Sequence, residues 1–155
     1  MKNSMFVFFF VLCSLLSGIC YAQWVLVNNG IGNLPVVSLT SSGNNIFAGT
    51  SVPYGVFISS NNGENWTSTS LPGYTVWALA ASGNNIFAGT EIYGVYLSTN
   101  NGTTWTQTSL NNQSAWVLAV NGNNIFVGVG SNGVYKSTDN GTTWYPTSLI
   151  NQELF

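Results

Sequence analysis

The chain of 155 residues contains no histidine and no arginine, and charged residues make up only 4% of it, against about 25% in an ordinary globular protein. Without a cluster of cations nothing can neutralise phosphates, so a nucleic-acid-binding surface is excluded. Without histidine the commonest general base and metal ligand are missing. We therefore expect no catalytic residue, no metal site and no cofactor.

The N-terminal segment has the features of a secretory signal. Lys2 supplies a positive charge, residues 5–16 are largely apolar, and small residues precede Gln23. Serine and glycine interrupt the apolar stretch before it reaches the roughly 20 residues that a membrane span requires. The pattern predicts a signal peptide over residues 1–22. It also predicts an exported chain over residues 23–155, secreted or held at the cell surface, without a membrane span.

Cysteine is nearly absent. Cys13 and Cys20 both lie in the predicted signal peptide, so the exported chain has no disulfide available and depends on packing and hydrogen bonding for its stability. Lipid attachment at Cys20 is an alternative interpretation of the leader. It is disfavoured because Ile19 is bulkier than the small residue that usually precedes a lipidated cysteine.

The exported chain is dominated by an internal repeat. Trp66, Trp105 and Trp144 recur every 39 residues, and a Gly-Asn-Asn-Ile-Phe segment follows nearly the same interval. One extra residue lies in the first unit, between Thr50 and Tyr54. Such regularity indicates an array of similar structural units. We place the repeats at approximately residues 35–73, 74–112 and 113–150.

Each unit divides into four short strand candidates separated by turn residues. In the second unit they are Val76 to Ala81, Asn85 to Thr90, Val95 to Thr99 and Thr104 to Ser109. The second candidate is nearly continuously apolar, which predicts a strand buried on both faces. The fourth is rich in threonine and suits an outer edge. Four strands in about 40 residues, repeated, are typical of an all-β propeller built from blades of four antiparallel strands.

A turn motif recurs between the third and fourth strands of each unit. The three copies read Ser-Ser-Asn-Asn-Gly-Glu-Asn-Trp, Ser-Thr-Asn-Asn-Gly-Thr-Thr-Trp and Ser-Thr-Asp-Asn-Gly-Thr-Thr-Trp. They resemble the Asp-box, or BNR repeat, of sialidase-like β-propellers. The positions that carry the resemblance are Ser59, Asn61, Gly63, Trp66, Ser98, Asn100, Gly102, Trp105, Ser137, Asp139, Gly141 and Trp144.

The resemblance implies a structural role for these box turns, remote from any active site. The third residue accepts backbone N–H bonds, the glycine takes a positive φ, and the tryptophan covers its own hairpin. Asn61 and Asn100 replace the usual Asp, and an amide oxygen still accepts those bonds. Calcium at Asp139 is a disfavoured alternative, because calcium takes six to eight oxygen ligands and each loop offers one carboxylate at most.

The same resemblance raises the possibility of a glycoside hydrolase. Sialidases of the family hold the sugar carboxylate with three arginines, and this chain has none. Related propeller hydrolases use paired carboxylates. Here Glu64 and Asp139 fall in box turns and Glu153 in the tail, so Glu91 lacks an evident partner. We therefore predict that the chain is not itself an enzyme.

If strands alternate in direction, the box turns and Gly-Asn-Asn turns share one end of the blades, here called the box end. The other end, here called the variable end, carries the loops around residues 51–54, 72–74, 91–93, 111–113 and 130–132, which differ between units. Variable loops on a repeated scaffold usually mediate recognition. The predicted site for a glycan or extracellular protein comprises Tyr54, Tyr74, Glu91, Tyr93 and Gln113. Tyrosines that merely cap the blades are the alternative.

Three units fall short of the usual four to eight blades. Gln23 to Val27 resembles a fourth strand without a preceding box, and the last unit already owns its fourth strand. We therefore expect an incomplete propeller, a gene fragment with a lone N-terminal strand, that self-associates through its uncovered faces. The favoured function is a non-catalytic binding or scaffold module. The alternative is the N-terminal part of a larger propeller glycoside hydrolase whose catalytic residues lie beyond the chain end.

Overall fold

The computed structural model describes residues 25–51, 53–71 and 73–148, which form three antiparallel sheets of four strands each. The strands of every sheet are neighbours in chain order, so each sheet is an up-and-down meander. This confirms the prediction of an all-β chain with three four-stranded blades. Within the described ranges, a turn of 3-10 helix at Gly130–Asn132 is the only helical element. No helix in this part of the chain is long and apolar enough to cross a membrane.

The strands are assigned to the three blades as follows. Blade 1 comprises β1 (Val36–Ser42), β2 (Asn45–Thr50), β3 (Val56–Ser59) and β4 (Thr67–Ser68). Blade 2 comprises β5 (Val76–Ser82), β6 (Asn85–Thr90), β7 (Val95–Ser98) and β8 (Thr106–Gln107). Blade 3 comprises β9 (Ala115–Asn121), β10 (Asn124–Val129), β11 (Val134–Ser137) and β12 (Tyr145–Pro146).

The fourth strands are shorter than the sequence suggests. The prediction of Thr104 to Ser109 contracts to the two residues of β8. The amide of Thr104 donates to the side chain of Asn100 at 2.9 Å, so this residue belongs to the box turn rather than to the strand. Both residues of β8 are exposed, which agrees with an outer edge, whereas β6 is buried along nearly all its length.

The predicted N-terminal strand is not formed over Val25–Val27, and Gln23 and Trp24 lie outside the described residues. A strand needs a partner with a free edge, and each third strand already pairs with the fourth strand of its own blade. The segment that precedes β1 contacts blade 1 through side chains and through isolated backbone bonds, such as the bond of 2.8 Å from the amide of Trp66 to the carbonyl oxygen of Asn29. Ile31 and Leu34 pack against Ala48, Phe57 and Trp66.

The hydrophobic core lies between blades rather than within one. Phe47 and Val56 of blade 1 pack against Leu79 and Ile86 of blade 2. Phe87 and Val95 of blade 2 pack in the same way against Ile125 and Val127 of blade 3. The first strands β1, β5 and β9 lie side by side across the blades. Each blade is therefore a two-faced slab whose stability depends on its neighbours.

Blade 3 has one face that no described residue of another blade covers. Phe47 and Phe87 are fully buried, whereas Phe126 at the same position is half-buried. Lys136 lies opposite Phe126 in the strand register, with its Nζ 5.7 Å from the ring centroid, where blades 1 and 2 carry Ile58 and Leu97. We call this surface the open face. Its cross-strand row is Ala119, Phe126, Lys136 and Tyr145, with Val117 beside it.

A glycine at the same position in each second strand allows the next blade to approach. A Cβ added to Gly89 would lie 2.6 Å from the backbone oxygen of Ala115 in blade 3, and one added to Gly49 would lie 2.8 Å from the oxygen of Val76 in blade 2. At Gly128, on the open face, the added Cβ would meet only the side chain of Val117, at 2.6 Å. The glycine is thus a steric requirement of blade stacking.

We predict that Gly89→Ala lowers the free energy of unfolding by about 1–3 kcal/mol, because a backbone carbonyl cannot move aside as a side chain can. Gly128→Ala, its matched control, should change the free energy by less than about 0.5 kcal/mol, because the Val117 side chain can rotate. Urea denaturation of the two variants measures the difference. Equal losses in both would mean that blade stacking does not set the glycine requirement.

Candidate functional site

The three box turns share one hydrogen-bonded geometry. Ser59 Oγ accepts the amide N–H of Gly63 at 2.9 Å, and donates to Asn61 Oδ1 at 3.0 Å. The serines of blades 2 and 3 make the same bonds at 2.8 to 2.9 Å. Each glycine has a positive φ between 79° and 87°, as the resemblance implied. The serine therefore ties the start of the turn to its tip.

The third residue of each box holds the returning chain. Asn61 Oδ1 accepts the amide of Asn65 at 3.0 Å, and Asn100 and Asp139 accept the amides of Thr104 and Thr143 at 2.9 Å. The carboxylate of Asp139 additionally accepts a bond of 2.6 Å from Thr143 Oγ1. Amide and carboxylate thus perform the same structural task, so negative charge is not required for the turn.

The box tryptophans do more than cover their own hairpins, which corrects the expectation from sequence. Trp105 Nε1 donates to Thr69 Oγ1 of blade 1 at 3.2 Å, and Trp144 Nε1 donates to Thr108 Oγ1 of blade 2 at 3.2 Å. Trp66 repeats the pattern with the carbonyl oxygen of Val27 at 3.0 Å. The indole N–H needs a partner when the ring is partly buried, and the preceding unit supplies it. Trp105 and Trp144 therefore each link their blade to the one before, and Trp66 links blade 1 to the segment that precedes β1.

Other contacts at the box end also join blades. A Cβ on Gly102 would lie 2.9 Å from the ring of Phe47, and one on Gly141 would meet the ring of Phe87. Ser70 Oγ donates to the backbone oxygen of Thr103 at 2.8 Å. Within the described ranges no group of three or more His, Cys, Asp or Glu side chains is placed to hold a metal ion. The polar groups of this end serve the scaffold.

At the variable end, three of the predicted residues line one cleft. Tyr74 and Tyr93 contact each other with ring centroids 4.1 Å apart and an interplanar angle of 30°. Glu91 joins them, with Gly73, Thr75 and Ile92, around a cleft of about 260 Å³. The Glu91 side chain is exposed and accepts no hydrogen bond from any described residue. It is free to accept bonds from a ligand.

The tyrosines of this cleft are also part of the scaffold. Tyr74 and Tyr93 are half-buried and pack against the core between blades 1 and 2. Tyr96 lies beneath them, 6.0 Å from Tyr74 between ring centroids. Burial, followed by the proximity of Tyr74, raises the pKa of Tyr96. The packing of Tyr74 and Tyr93 therefore supports the alternative that tyrosines cap the blades, for two of the three predicted tyrosines.

The remaining two predicted residues lie apart from this cleft. Tyr54 is exposed in the loop of blade 1 and is not among the lining residues. Gln113 is half-buried, and its Oε1 accepts a bond of 3.0 Å from Asn132 Nδ2 in blade 3. Its backbone oxygen accepts the amide of Gly94 at 2.8 Å. Gln113 therefore connects loops of neighbouring blades.

Two tryptophans that sequence reasoning did not single out form a second cleft. Trp77 and Trp116 line a cleft of about 220 Å³ and are 41% and 61% exposed. Both occupy the second position of a first strand, β5 or β9, where a β-bulge shifts the register against the second strand. The bulge leaves one residue unpaired and re-aims its side chain. The sequence does contain one signal that could have identified them, because the two tryptophans occupy the same position in successive repeats, 39 residues apart.

No protein-family model and no curated protein matches the chain. Solved structures do match, and they include β-propeller proteins. An ancestral GH74 enzyme is 27% identical with a TM-score of 0.64, over 81% of this chain and 19% of that one. The GH74 xyloglucanase from Xanthomonas campestris is 16% identical with a TM-score of 0.66, over 81% and 26%. YCF48 bound to D1 peptide is 17% identical with a TM-score of 0.64, over 75% and 42%.

These likenesses establish the class of protein. The chain has a β-propeller-type fold, and it spans less than half the length of each of these three structures. The three sheets correspond to blades, in agreement with the repeat period.

The box of blade 3 makes stability depend on acidity. Hydrogen bonds from the side chain and the amide of Thr143, and from Ser137, lower the pKa of Asp139 from 3.8 to about 2. A carboxyl group whose pKa is lower in the folded chain stabilises the fold above its unfolded value. That contribution should be lost as the pH falls from about 4 to about 2. It should be modest, because the group is exposed and screened by solvent.

We predict that the melting temperature of the parent chain, relative to Asp139→Asn, is constant above about pH 5 and falls between about pH 4 and pH 2. The asparagine variant is a matched control, because Asn61 and Asn100 show that the turn accepts an amide. Thermal melts at several pH values measure the difference. A difference that does not change with pH would show that the Thr143 and Ser137 bonds do not favour the ionised form.

Proposed function

We propose that the exported chain is a non-catalytic propeller module that binds a glycan or an extracellular protein through the loops of its variable end. The observation that carries this proposal is the contrast between the two ends. At the box end, the polar side chains that recur in every unit bond to their own turn or to a neighbouring unit. At the variable end, Glu91 and Ile92 remain exposed at the rim of the tyrosine cleft. The N-terminal signal features support export.

The placement of the carboxylates supports the absence of catalysis. Glycoside hydrolysis needs two carboxyl groups that flank one bond, about 5 to 10 Å apart. Glu64 and Asp139 belong to box turns at one end of the blades, whereas Glu91 follows β6 at the other end. These three are the carboxylates of the described ranges, and no two of them line the same cleft. Binding without turnover is therefore the activity that this arrangement favours.

Part of a larger glycoside hydrolase is the second candidate, and the GH74 neighbours favour it. The ancestral GH74 enzyme is 27% identical to this chain over 81% of its length. Since the match covers 19% of that enzyme, a chain of this size would supply only part of such an active site. The downstream reading frame tests this candidate. A continuation that brings arginine and acidic residues into loops of the variable end would favour the enzyme over the binding module.

Glu91 and Glu64 provide a matched test of the favoured function, because both are exposed carboxylates and they lie at opposite ends. We predict that Glu91→Ala weakens binding to any ligand detected on a glycan array or peptide array by about five- to tenfold, since a charged hydrogen-bond acceptor is lost. Glu64→Ala should bind as the parent does. Equal effects of the two variants, or loss only with Glu64→Ala, would reject the variable end as the binding end.

We further propose that the mature chain self-associates through the open face of blade 3. Val117 and Tyr145 on this face are 62% and 63% exposed, and Phe126 is half-buried. On blade 1, Leu39 is 62% exposed, whereas Leu79 at the same position is 8% exposed beneath the preceding blade. The few charges of the chain offer little opposition to association. Lys136 over Phe126 is the one cation that the described residues place on this surface.

We predict that the parent chain sediments as a dimer or larger species at tens of micromolar, and that Val117→Asp shifts it towards monomer. A buried carboxylate would be strongly disfavoured in the contact, whereas at an exposed position it leaves the fold intact. Asn123→Asp adds the same charge at the exposed turn of the box end and should not alter the sedimentation. A parent chain that is a stable monomer would refute the proposal.

A further inference from the structure

The pair of tryptophans on β5 and β9 is not explained by packing. Three of their four neighbours in the strands, Val76, Ala78 and Ala115, are buried, and the fourth, Val117, lies on the open face. Trp77 and Trp116 remain exposed beside a cleft that they line together. Burial of large apolar rings is what would stabilise the fold. Because these two rings stay exposed, they contribute only part of the stabilisation that full burial would give.

Blade 1 provides an internal comparison. Val37 occupies the corresponding place on β1, at the same kind of register shift, and is also exposed. The bulge therefore forms with an aliphatic side chain, and the propeller architecture does not require an aromatic ring at this position. A scaffold that tolerates valine gives no structural reason for two adjacent indoles.

The chemistry around the cleft limits the ligand. The chain contains no arginine, and Lys136, the only cation of the described ranges, lies over Phe126 on the open face. Among the described residues, an anionic ligand would thus find no counter-charge in this cleft, whose described lining is two indoles. Indole faces offer broad, flat apolar surfaces, on which the C–H faces of a sugar ring can stack. The size of the cleft, about 220 Å³, suits a single sugar ring better than a folded partner.

The cleft lies towards the variable end, because both residues stand at the start of first strands, which follow the loops of that end. Resting on the proposed function, we infer that Trp77 and Trp116 form a stacking site for a neutral carbohydrate. The site is distinct from the tyrosine cleft around Glu91, whose lining residues it does not share. Ligand hydroxyls would keep their hydrogen bonds to water.

Calorimetric titration of the mature chain with xyloglucan heptasaccharide tests this inference, with sialyllactose as the anionic comparison and a proline-rich peptide as the protein-like one. We expect the neutral sugar to bind and sialyllactose not to bind. Trp116→Ala and Trp77→Ala should each weaken binding by about tenfold or more, because each removes one stacking surface. Trp116→Phe, which keeps a smaller ring, should retain part of the affinity.

Val117→Ala is the matched control, since Val117 is as exposed as Trp116 and follows it in β9. It should bind within about twofold of the parent, and all variants should melt as the parent does, because the altered side chains are exposed. Acrylamide quenching of tryptophan fluorescence gives a second readout. Bound sugar should protect the parent, and protection should be reduced in each variant that lacks one indole.

Two results would overturn the inference. One is sugar binding that is unchanged in both alanine variants, and the other is preferential binding of sialyllactose or the peptide at the two tryptophans. If Glu91→Ala loses binding and the tryptophan variants keep it, the proposed binding function of the variable end is supported and the tryptophan site is rejected. Failure of the neutral sugar to bind or protect the parent rejects the site as well, and the glycan and peptide arrays then decide the module separately.

Discussion

The fold depends on one repeated contact, in which the apolar face of one blade is covered by the box turn and strands of the next. The ring of Phe47 lies against Gly102, and the ring of Phe87 lies against Gly141. Each box thereby closes its own hairpin and seals the blade before it. Because no disulfide is available in the described ranges and charges are few, these interfaces carry the hydrophobic stabilisation of the chain.

This dependence explains the division between the two ends of the blades. The box end must keep its residues, because the serine closes the turn, and the glycine and the tryptophan of the same turn contact the preceding unit. The variable end is linked through backbone groups, such as the bond of 2.8 Å from the amide of Gly94 to Gln113, and through a few side chains, such as Tyr74 and Tyr93. Exposed side chains there, such as Glu91 and Ile92, can change without loss of the scaffold. Recognition can therefore diversify at one end only.

Much of this architecture was predictable from sequence, because it is encoded locally and repeated. Turn residues at fixed intervals located the first three strands of blade 2 to within a residue, and the box pattern anticipated the bonds of Asn61, Asn100 and Asp139. The errors concern contacts between units. The direction of the Trp105 indole and the absence of a strand at Val25–Val27 depend on which neighbour is present, and a periodic pattern does not specify this.

The candidate site was predicted less completely, for a similar reason. Loop variability pointed to Tyr74, Glu91 and Tyr93, which share a cleft, but not to the separation of Tyr54 and Gln113 from them. Trp77 and Trp116 were missed because an apolar residue within an apolar strand is expected to be buried. Only the register shift at the bulge reverses this expectation, and such shifts have no clear sequence signature here.

The box turns also bear on how the protein ages. Each contains an Asn-Gly pair, at Asn62, Asn101 and Asn140, with the asparagine in the left-handed region. Asn-Gly pairs lose their side-chain amide when the backbone nitrogen of the glycine attacks the side-chain carbonyl carbon of the asparagine. This closes a succinimide ring and releases ammonia. In the folded chain that nitrogen donates its proton to a serine Oγ at 2.8 to 2.9 Å, within a rigid turn. Deamidation at these three pairs is therefore coupled to unfolding, and the folded chain should keep the asparagines of its box turns.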